Sequence, residues 1–378
     1  MDKNTYQNEK YRTYTVKTRE VLKELPLFCG SYFRSIENST SVLTRYAYAI
    51  DLRSFFQFCM EEPELFAGRD MDSLTVSDLE KVHAYHIEMF LEKMAYYTKD
   101  DRAVVNQEKS KARKLCAIRS FFKYYFKQEL LSANVAALVD LPKLHDKAII
   151  RLEPNEVADL LDKAENGEGL SKRQQQYQSK TRIRDVAILT LFLGTGIRIS
   201  ELVGIDLGDL DLPNDAFLVT RKGGAQDVLN FGDEVHDALD AYYQWRIHQI
   251  PETGHEQALF LSLQNRRITV RAVENLVKKY ARVAAPLKKI TPHKLRSTYG
   301  TMLYHETQDI YLVADVLGHK DVNTTKKHYA AASEDNKRKA ARIIRLRDEP
   351  ENHVSKQAEP ASPEEATVEP KKETTPDD

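Results

Sequence analysis

The sequence predicts a mainly α-helical protein of two domains with one small β-hairpin. Three observations support that class. Apolar residues recur at helical spacing through residues 23–145 and again through most of 150–348. A proline-bearing stretch without periodicity, VDLPKLHDKAIIR at 139–151, reads as the linker between them. Strand character occurs once, in AFLVT (216–220) and DVLNF (227–231), split by RKGGAQ with its paired glycines. At 378 residues the chain has room for two domains and extensions. The expected parts are a polar N-terminal extension at 1–22, a helical domain at 23–145, a second domain at 146–348 and a tail at 349–378. The tail is acidic, rich in Pro, Thr and Glu and almost free of large apolar residues, so it is expected to be disordered.

In the first domain, STSVLTRYAYAIDLRSFFQFC opens on serine and threonine and spaces Leu43, Tyr46, Ile50, Phe55 and Cys59 as one helix face. TVSDLEKVHAYHIEMFLEKM follows, with Ser77 and Glu80 in capping-box register. YYTKDDRAVVNQ breaks the pattern and reads as a loop. SKARKLCAIRSFFKYYFKQELL is a further helix, apolar through Leu115, Ile118, Phe122 and Tyr125. Its other faces carry Lys109, Lys111, Arg113, Lys114, Arg119, Lys123 and Lys127, cations suited to tracking phosphates or entering a major groove. A solvated helix face is the plainer reading of such a helix taken alone. In the second domain Pro154 and NEVADLLDKA open a helix, ENGEGLSKRQQQYQSK reads as a loop, and RDVAILTLFLGTG is a buried helix ended by glycine. Beyond the hairpin, ALDAYYQWRIHQI, TVRAVENLVKKYA and SEDNKRKAARIIRLR are helical. The last of these is basic on one side and apolar at Ala341, Ile344 and Leu346.

An apolar fraction of 42% is ordinary for a soluble domain, and no apolar run approaches a membrane span. The start of the chain has no apolar signal-peptide core, so export is not expected. Cys29, Cys59 and Cys116 are odd in number and far apart, which fits reduced thiols in a cytoplasmic protein and neither a disulfide frame nor a zinc site. The net charge of −1 hides an uneven distribution. Residues 351–378 hold eight acidic and three basic side chains, leaving 53 basic against 49 acidic over residues 1–350. A nucleic-acid partner is therefore not excluded by charge.

The chemistry lies in an ordered set of residues. HKLR stands at 293–296, LGHK at 317–320, and Tyr329 follows His319 by ten residues. Upstream, Arg198 stands in GTGIRISELV, and Lys222 lies in the hairpin turn between it and His293. Each piece is common by itself; their conjunction is not. Two guanidiniums can hold the non-bridging oxygens of a phosphodiester under attack, and a tyrosine can supply an oxygen nucleophile. No P-loop signature and no carboxylate cluster for a two-metal site is present in the sequence.

This set resembles the tyrosine recombinases, the phage-integrase and Xer-type family. The resemblance runs through GTGIRISEL, TRKGG, TPHKLRST and VADVLGHKDVNTTKKHYA, and more loosely through SKARKLCAIRSFFKYYFKQELLSANVAALVDLPK. It implies a helical, SAM-like core-binding domain followed by a mostly helical catalytic domain, closing as a C-shaped clamp around duplex DNA. It implies that Arg198 and Arg296 clamp the scissile phosphate, that Lys222 protonates the departing 5′-oxygen, and that His293 holds the phosphate and takes the tyrosine proton. His319 would donate a hydrogen bond to the phosphate, and Tyr329 would attack to form a 3′-phosphotyrosyl bond. Glu201 would support the site. Lys109, Lys111, Arg113, Lys114, Arg119 and Lys123 would face DNA. No cofactor, ATP or metal is implied, because the phosphotyrosyl bond keeps the energy of the broken strand. The implied partners are double-stranded DNA and three further recombinase subunits, as a homotetramer or with a second recombinase, on two sites; no membrane is implied.

The sequence departs from the family pattern in three places. Nine residues is the commoner histidine-to-tyrosine spacing, Ser297 follows the arginine where a histidine or alanine is frequent, and RKGGAQD lacks the usual second basic residue. The short polar stretch before the first expected helix favours the Xer plan, which resolves chromosome dimers, over lambda-type integrases with their added arm-binding domain. A mobile-element integrase and a type IB topoisomerase are the other readings of the same chemistry.

Overall fold

In the computed structural model, residues 5–99, 102–143, 149–221 and 224–318 are described, together with Val322. Lys222, His319, Tyr329, the helix expected at 333–347 and the acidic tail lie outside them. The stretch expected to be a polar extension forms instead a helix, α1 (Thr5–Leu22). It lacks a continuous apolar stripe and is seated by a few side chains. Tyr14 meets Tyr46 edge-on at 5.4 Å, Arg45 lies over the Tyr11 ring at 5.7 Å, and Val21 is buried.

After α2 (Cys29–Ser35), α3 (Val42–Glu61) begins where Ser41 accepts the Thr44 N–H at 3.2 Å. Its buried face is Ala49, Leu52, Phe55, Phe56 and Cys59, while Leu43 is exposed. The next cap also differs from the sequence reading. Thr75 and Asp78 cap a 3-10 helix at Val76–Lys81, with the Asp78 carboxylate accepting the Thr75 N–H and hydroxyl at 2.9 Å each. Glu80 binds Ser132 instead. The Arg69 guanidinium beside Asp78 holds that carboxyl well below the usual range. Then come α4 (Ala84–Lys93) and, where a loop was expected, the antiparallel strands β1 (Tyr96–Lys99) and β2 (Arg102–Val105). Their tyrosines, threonine and valines favour a pleated strand over a loop. In α5 (Glu108–Lys127) Leu115, Ile118, Phe121, Phe122 and Tyr125 are buried. They meet Phe28, Tyr32, Phe55 and Phe56 largely edge-to-face, pairs each worth about 0.5–1.5 kcal/mol beyond their burial.

A second core runs from Leu152 to Leu295, distinct from the first, which runs from Val21 to Val139. It opens with α6 (Pro154–Asn166), started by Pro154 and ended by Gly167 in the left-handed region. The polar stretch after it is helical rather than a loop, because Ser171 and Gln174 form a capping box that starts α7 (Lys172–Thr195). The C-terminal half of α7 is buried on nearly every side and packs against its neighbours as the central helix. Asp185 within it is bound by Thr181, Arg184, Lys279 and Tyr280. The short α8 (Ile199–Leu202) leads to a three-stranded antiparallel sheet, β3 (Leu210–Asp211), β4 (Ala216–Thr220) and β5 (Gln226–Asn230). In β4, Phe217 and Val219 face the core by strand alternation. Among the described residues four more helices follow: α9 (Asp233–Arg246), α10 (Val270–Ala284), α11 (Pro292–Thr307) and α12 (Ile310–Val316). α6, α9 and α11 all pack on α7. Among the described residues no helix is long and apolar enough to cross a membrane.

Candidate active site

Arg198 and Arg296 meet at the end of α12. Arg198 caps α8 and sends Nη2 to the Gly318 carbonyl at 2.9 Å and Nη1 to Glu201 Oε1 at 2.8 Å. Arg296, on the first turn and a half of α11, donates Nη1 to the Gly196 carbonyl at 2.6 Å and Nη2 to the Leu317 carbonyl. A third arginine, Arg221 at the end of β4, reaches the Val316 carbonyl at 3.4 Å. Three consecutive carbonyls at a helix C-terminus are thus each bonded by an arginine from a different segment. The negative end of the helix dipole favours such cations. The same bonds aim the guanidiniums before any substrate arrives.

Two glycines make this approach possible. Gly196 ends α7 at φ +61, and a Cβ there would stand 2.5 Å from Tyr299 and 2.8 Å from Leu317. Gly318 follows α12 at φ +56, and a Cβ there would stand 2.9 Å from the Arg221 guanidinium carbon. Only glycine meets both the dihedral and the space. Tyr299 packs at Gly196, and burial pushes its phenol above the ordinary value.

Glu201 is 4% exposed and joins the groups together. One oxygen takes Arg198 Nη1; the other takes the Arg198 N–H at 3.0 Å and Arg221 Nη1 at 3.3 Å. Arg296 is 3% exposed, whereas the Arg198 side chain keeps about a third of its surface (31%). His293 is exposed on the first turn of α11, one turn before Arg296 on the same side of the helix. Of the six residues expected at the catalytic centre, the structure brings Arg198 and Arg296 together at the end of α12, with His293 one turn before Arg296 on α11. The chain leaves Gly318 one residue before His319. Arg221 was not singled out in the sequence; its only signal was its position beside Lys222.

The six cations of α5 expected to face DNA separate by environment. Lys114 is 5% exposed and bonds the buried Asp51 at 3.1 Å, and Arg113 bonds the same carboxylate. Arg119 donates to the Ala136 and Val139 carbonyls. Lys109 and Lys123 are exposed and Lys111 is half-buried. Lys109, Arg113 and Lys123 share one exposed stripe of the helix.

Comparison with known proteins agrees with this geometry. Residues 151–336 match the phage integrase family. Over 294 residues the chain is 31% identical to the tyrosine recombinase XerC of Thermodesulfovibrio yellowstonii, covering 77% of this chain and 86% of that one. The chain belongs to the phage integrase family of tyrosine recombinases. To the XerC of Leptospira interrogans the recombinase is 27% identical over 303 residues, 80% of its own length and 87% of the relative's. Among solved structures, its fold matches the XerH site-specific recombinase bound to palindromic difH substrate with a TM-score of 0.61 at 20% identity, over 81% of each chain. It also matches a lambda integrase dimer bound to a core site, with a TM-score of 0.57 at 15% identity, over 81% of this chain and 95% of that one. Its activity is DNA strand cleavage and rejoining, of the Xer site-specific type.

Proposed function

We propose that this recombinase resolves chromosome dimers in the cytoplasm, acting as four subunits on two duplex sites through a covalent 3′-phosphotyrosyl intermediate. The observation that carries the chemical part is the joint anchoring of Arg198 and Arg296 on consecutive carbonyls at Leu317 and Gly318. Guanidiniums held this way stabilise the charge that builds on the phosphate in the transition state without reorganising. In the proposed step Tyr329 Oη attacks phosphorus and its proton passes to His293. The bond to the 5′-oxygen breaks, Lys222 gives that oxygen a proton, and His319 donates to the phosphate. Attack by a 5′-hydroxyl from the partner duplex then releases the tyrosine, so strand exchange needs no ATP. The XerC relatives support dimer resolution as the purpose. We further propose Lys109, Lys111, Arg113 and Lys123 as the phosphate-facing cations of α5. For Lys114 and Arg119, bonded to Asp51 and to main-chain carbonyls, that expectation has weaker support.

The test is to trap protein–DNA adducts in cells and sequence the attached DNA, with Tyr329→Phe as control. One chromosomal locus, and no adduct from the phenylalanine variant that still binds DNA, is the expected result. Adducts at element ends would replace dimer resolution by integration. An adduct formed by Tyr329→Phe would move the nucleophile elsewhere.

A further inference from the structure

We infer that Arg221 is a positioning residue for strand cleavage: it ties the β4–β5 turn to the frame that holds Arg198 and Arg296, and so sets where the next residue in the chain, Lys222, meets the leaving oxygen. This rests on the reading above that Lys222 is the general acid.

The side chain of Arg221 is 11% exposed and engaged on three sides. Its Nε and Nη2 bond Asp227 Oδ2 at 3.0 and 2.9 Å, across the turn end of the same hairpin. Nη1 bonds Glu201 Oε2 at 3.3 Å, the carboxylate whose other oxygen holds Arg198. Nη2 also reaches the Val316 carbonyl at 3.4 Å, and the guanidinium lies against Gly318 with no room for a Cβ between them. The main chain of Arg221 meanwhile closes the turn. Its N–H donates to the Ala225 carbonyl at 2.7 Å, and its carbonyl accepts the Gly224 N–H at 3.1 Å. One residue therefore fixes both ends of a lever, the turn through its backbone and the phosphate clamp through its side chain.

A role limited to stability accounts poorly for this arrangement. Apolar residues of similar volume in place of the arginine and its carboxylate partners together would avoid the cost of desolvating these charges. A lysine would have to meet Asp227, Glu201 and a carbonyl from a single nitrogen, whereas the arginine reaches them from three atoms of a planar fork. What the arginine adds is a shared carboxylate. Glu201 binds both Arg198 and Arg221, so the phosphate clamp and the residue before Lys222 share one carboxylate.

The experiment is single-turnover cleavage of a duplex carrying the site recovered by adduct mapping. Two versions are compared: the ordinary phosphate, and one whose bridging 5′-oxygen is sulfur, which departs as a thiolate needing no proton. Arg221→Ala is expected to cleave the oxygen substrate about 100-fold more slowly than the unaltered protein, the scale of a lost general acid. DNA affinity should stay within about threefold, and the sulfur substrate should return the rate to within about tenfold. Arg221→Lys, which keeps the charge and loses the fork, should fall between the two. An equal defect on both substrates would overturn the inference, as would a defect matched by loss of DNA binding or folding in both variants. Lys222→Ala in parallel separates the two claims. If sulfur rescues Lys222→Ala and not Arg221→Ala, the acid assignment stands and the positioning role falls. If sulfur rescues neither, the acid assignment falls and takes this inference with it.

Discussion

The two arginines of the site differ in how much of the protein depends on them. Arg296 is nearly buried and satisfies the carbonyls that end α7 and α12, so its removal leaves buried acceptors without a donor. That costs about 1–3 kcal/mol per unsatisfied group. Arg198 is about a third exposed, and Glu201 keeps the Arg198 N–H and Arg221 when the side chain is gone. Arg198→Ala should therefore keep a melting temperature near that of the unaltered protein while cleavage falls by about 100-fold or more, the usual cost of losing a preorganised donor. Arg296→Ala should lower both. Thermal melting beside single-turnover cleavage tests this, and an unaltered melting temperature for Arg296→Ala would contradict the structural half of its role. From sequence alone Arg296 reads only as a phosphate ligand; its bonds to Gly196 and Leu317 belong to the fold.

Helix α5 makes the same distinction between charge and exposure. Periodicity located its apolar face correctly, yet could not rank its cations, because Asp51 lies 62 residues before Arg113 and is brought to it by the packing of α3 on α5. Lys109→Ala and Lys123→Ala should each reduce the slope of log affinity for DNA against log salt by about one, as expected for lost phosphate contacts. Lys114→Ala should leave that slope alone and cost about 1–3 kcal/mol of stability, since it takes a hydrogen-bonded partner from a buried carboxylate. Binding isotherms across a salt series, with urea melts of each variant, measure both. A slope change at Lys114 would place its ammonium on DNA.

At the scale of the molecule, α1 is shared between the two cores. Val21 is buried in the first, while Tyr6 at the other end packs against the second. There the Arg267 guanidinium lies over the Tyr6 ring at 5.4 Å and bonds the Val203 and Ile205 carbonyls just after α8. Burial pushes the Tyr6 phenol above its ordinary value. Tyr6→Ala should cost about 1–2 kcal/mol, a lost cation–π contact with some packing. Its local signature should be faster amide hydrogen exchange at residues 203–206, with no change at 55–59 in the first core. Uniform loss of protection in both cores would mean that α1 stabilises the molecule globally rather than at this contact.

The sequence by itself determined the helical class and the β4–β5 hairpin, and it placed Arg198 and Arg296 in their motifs. Those features are written locally, in periodicity, in glycine placement at Gly196 and Gly318, and in short motifs around Arg198 and Arg296. It misjudged α1, the β1–β2 pair and the start of α7, where a few contacts, a strand pairing or one capping pair at Ser171 outweigh an unpromising local pattern. Only the tertiary structure decided that Arg198 lies against Gly318, 120 residues away, and that Arg221 joins them through Glu201. It also decided that Lys114 is interior while Lys109 is not. The reason is physical: a charged side chain acts through the partners that surround it, and those partners come from segments that only folding brings together.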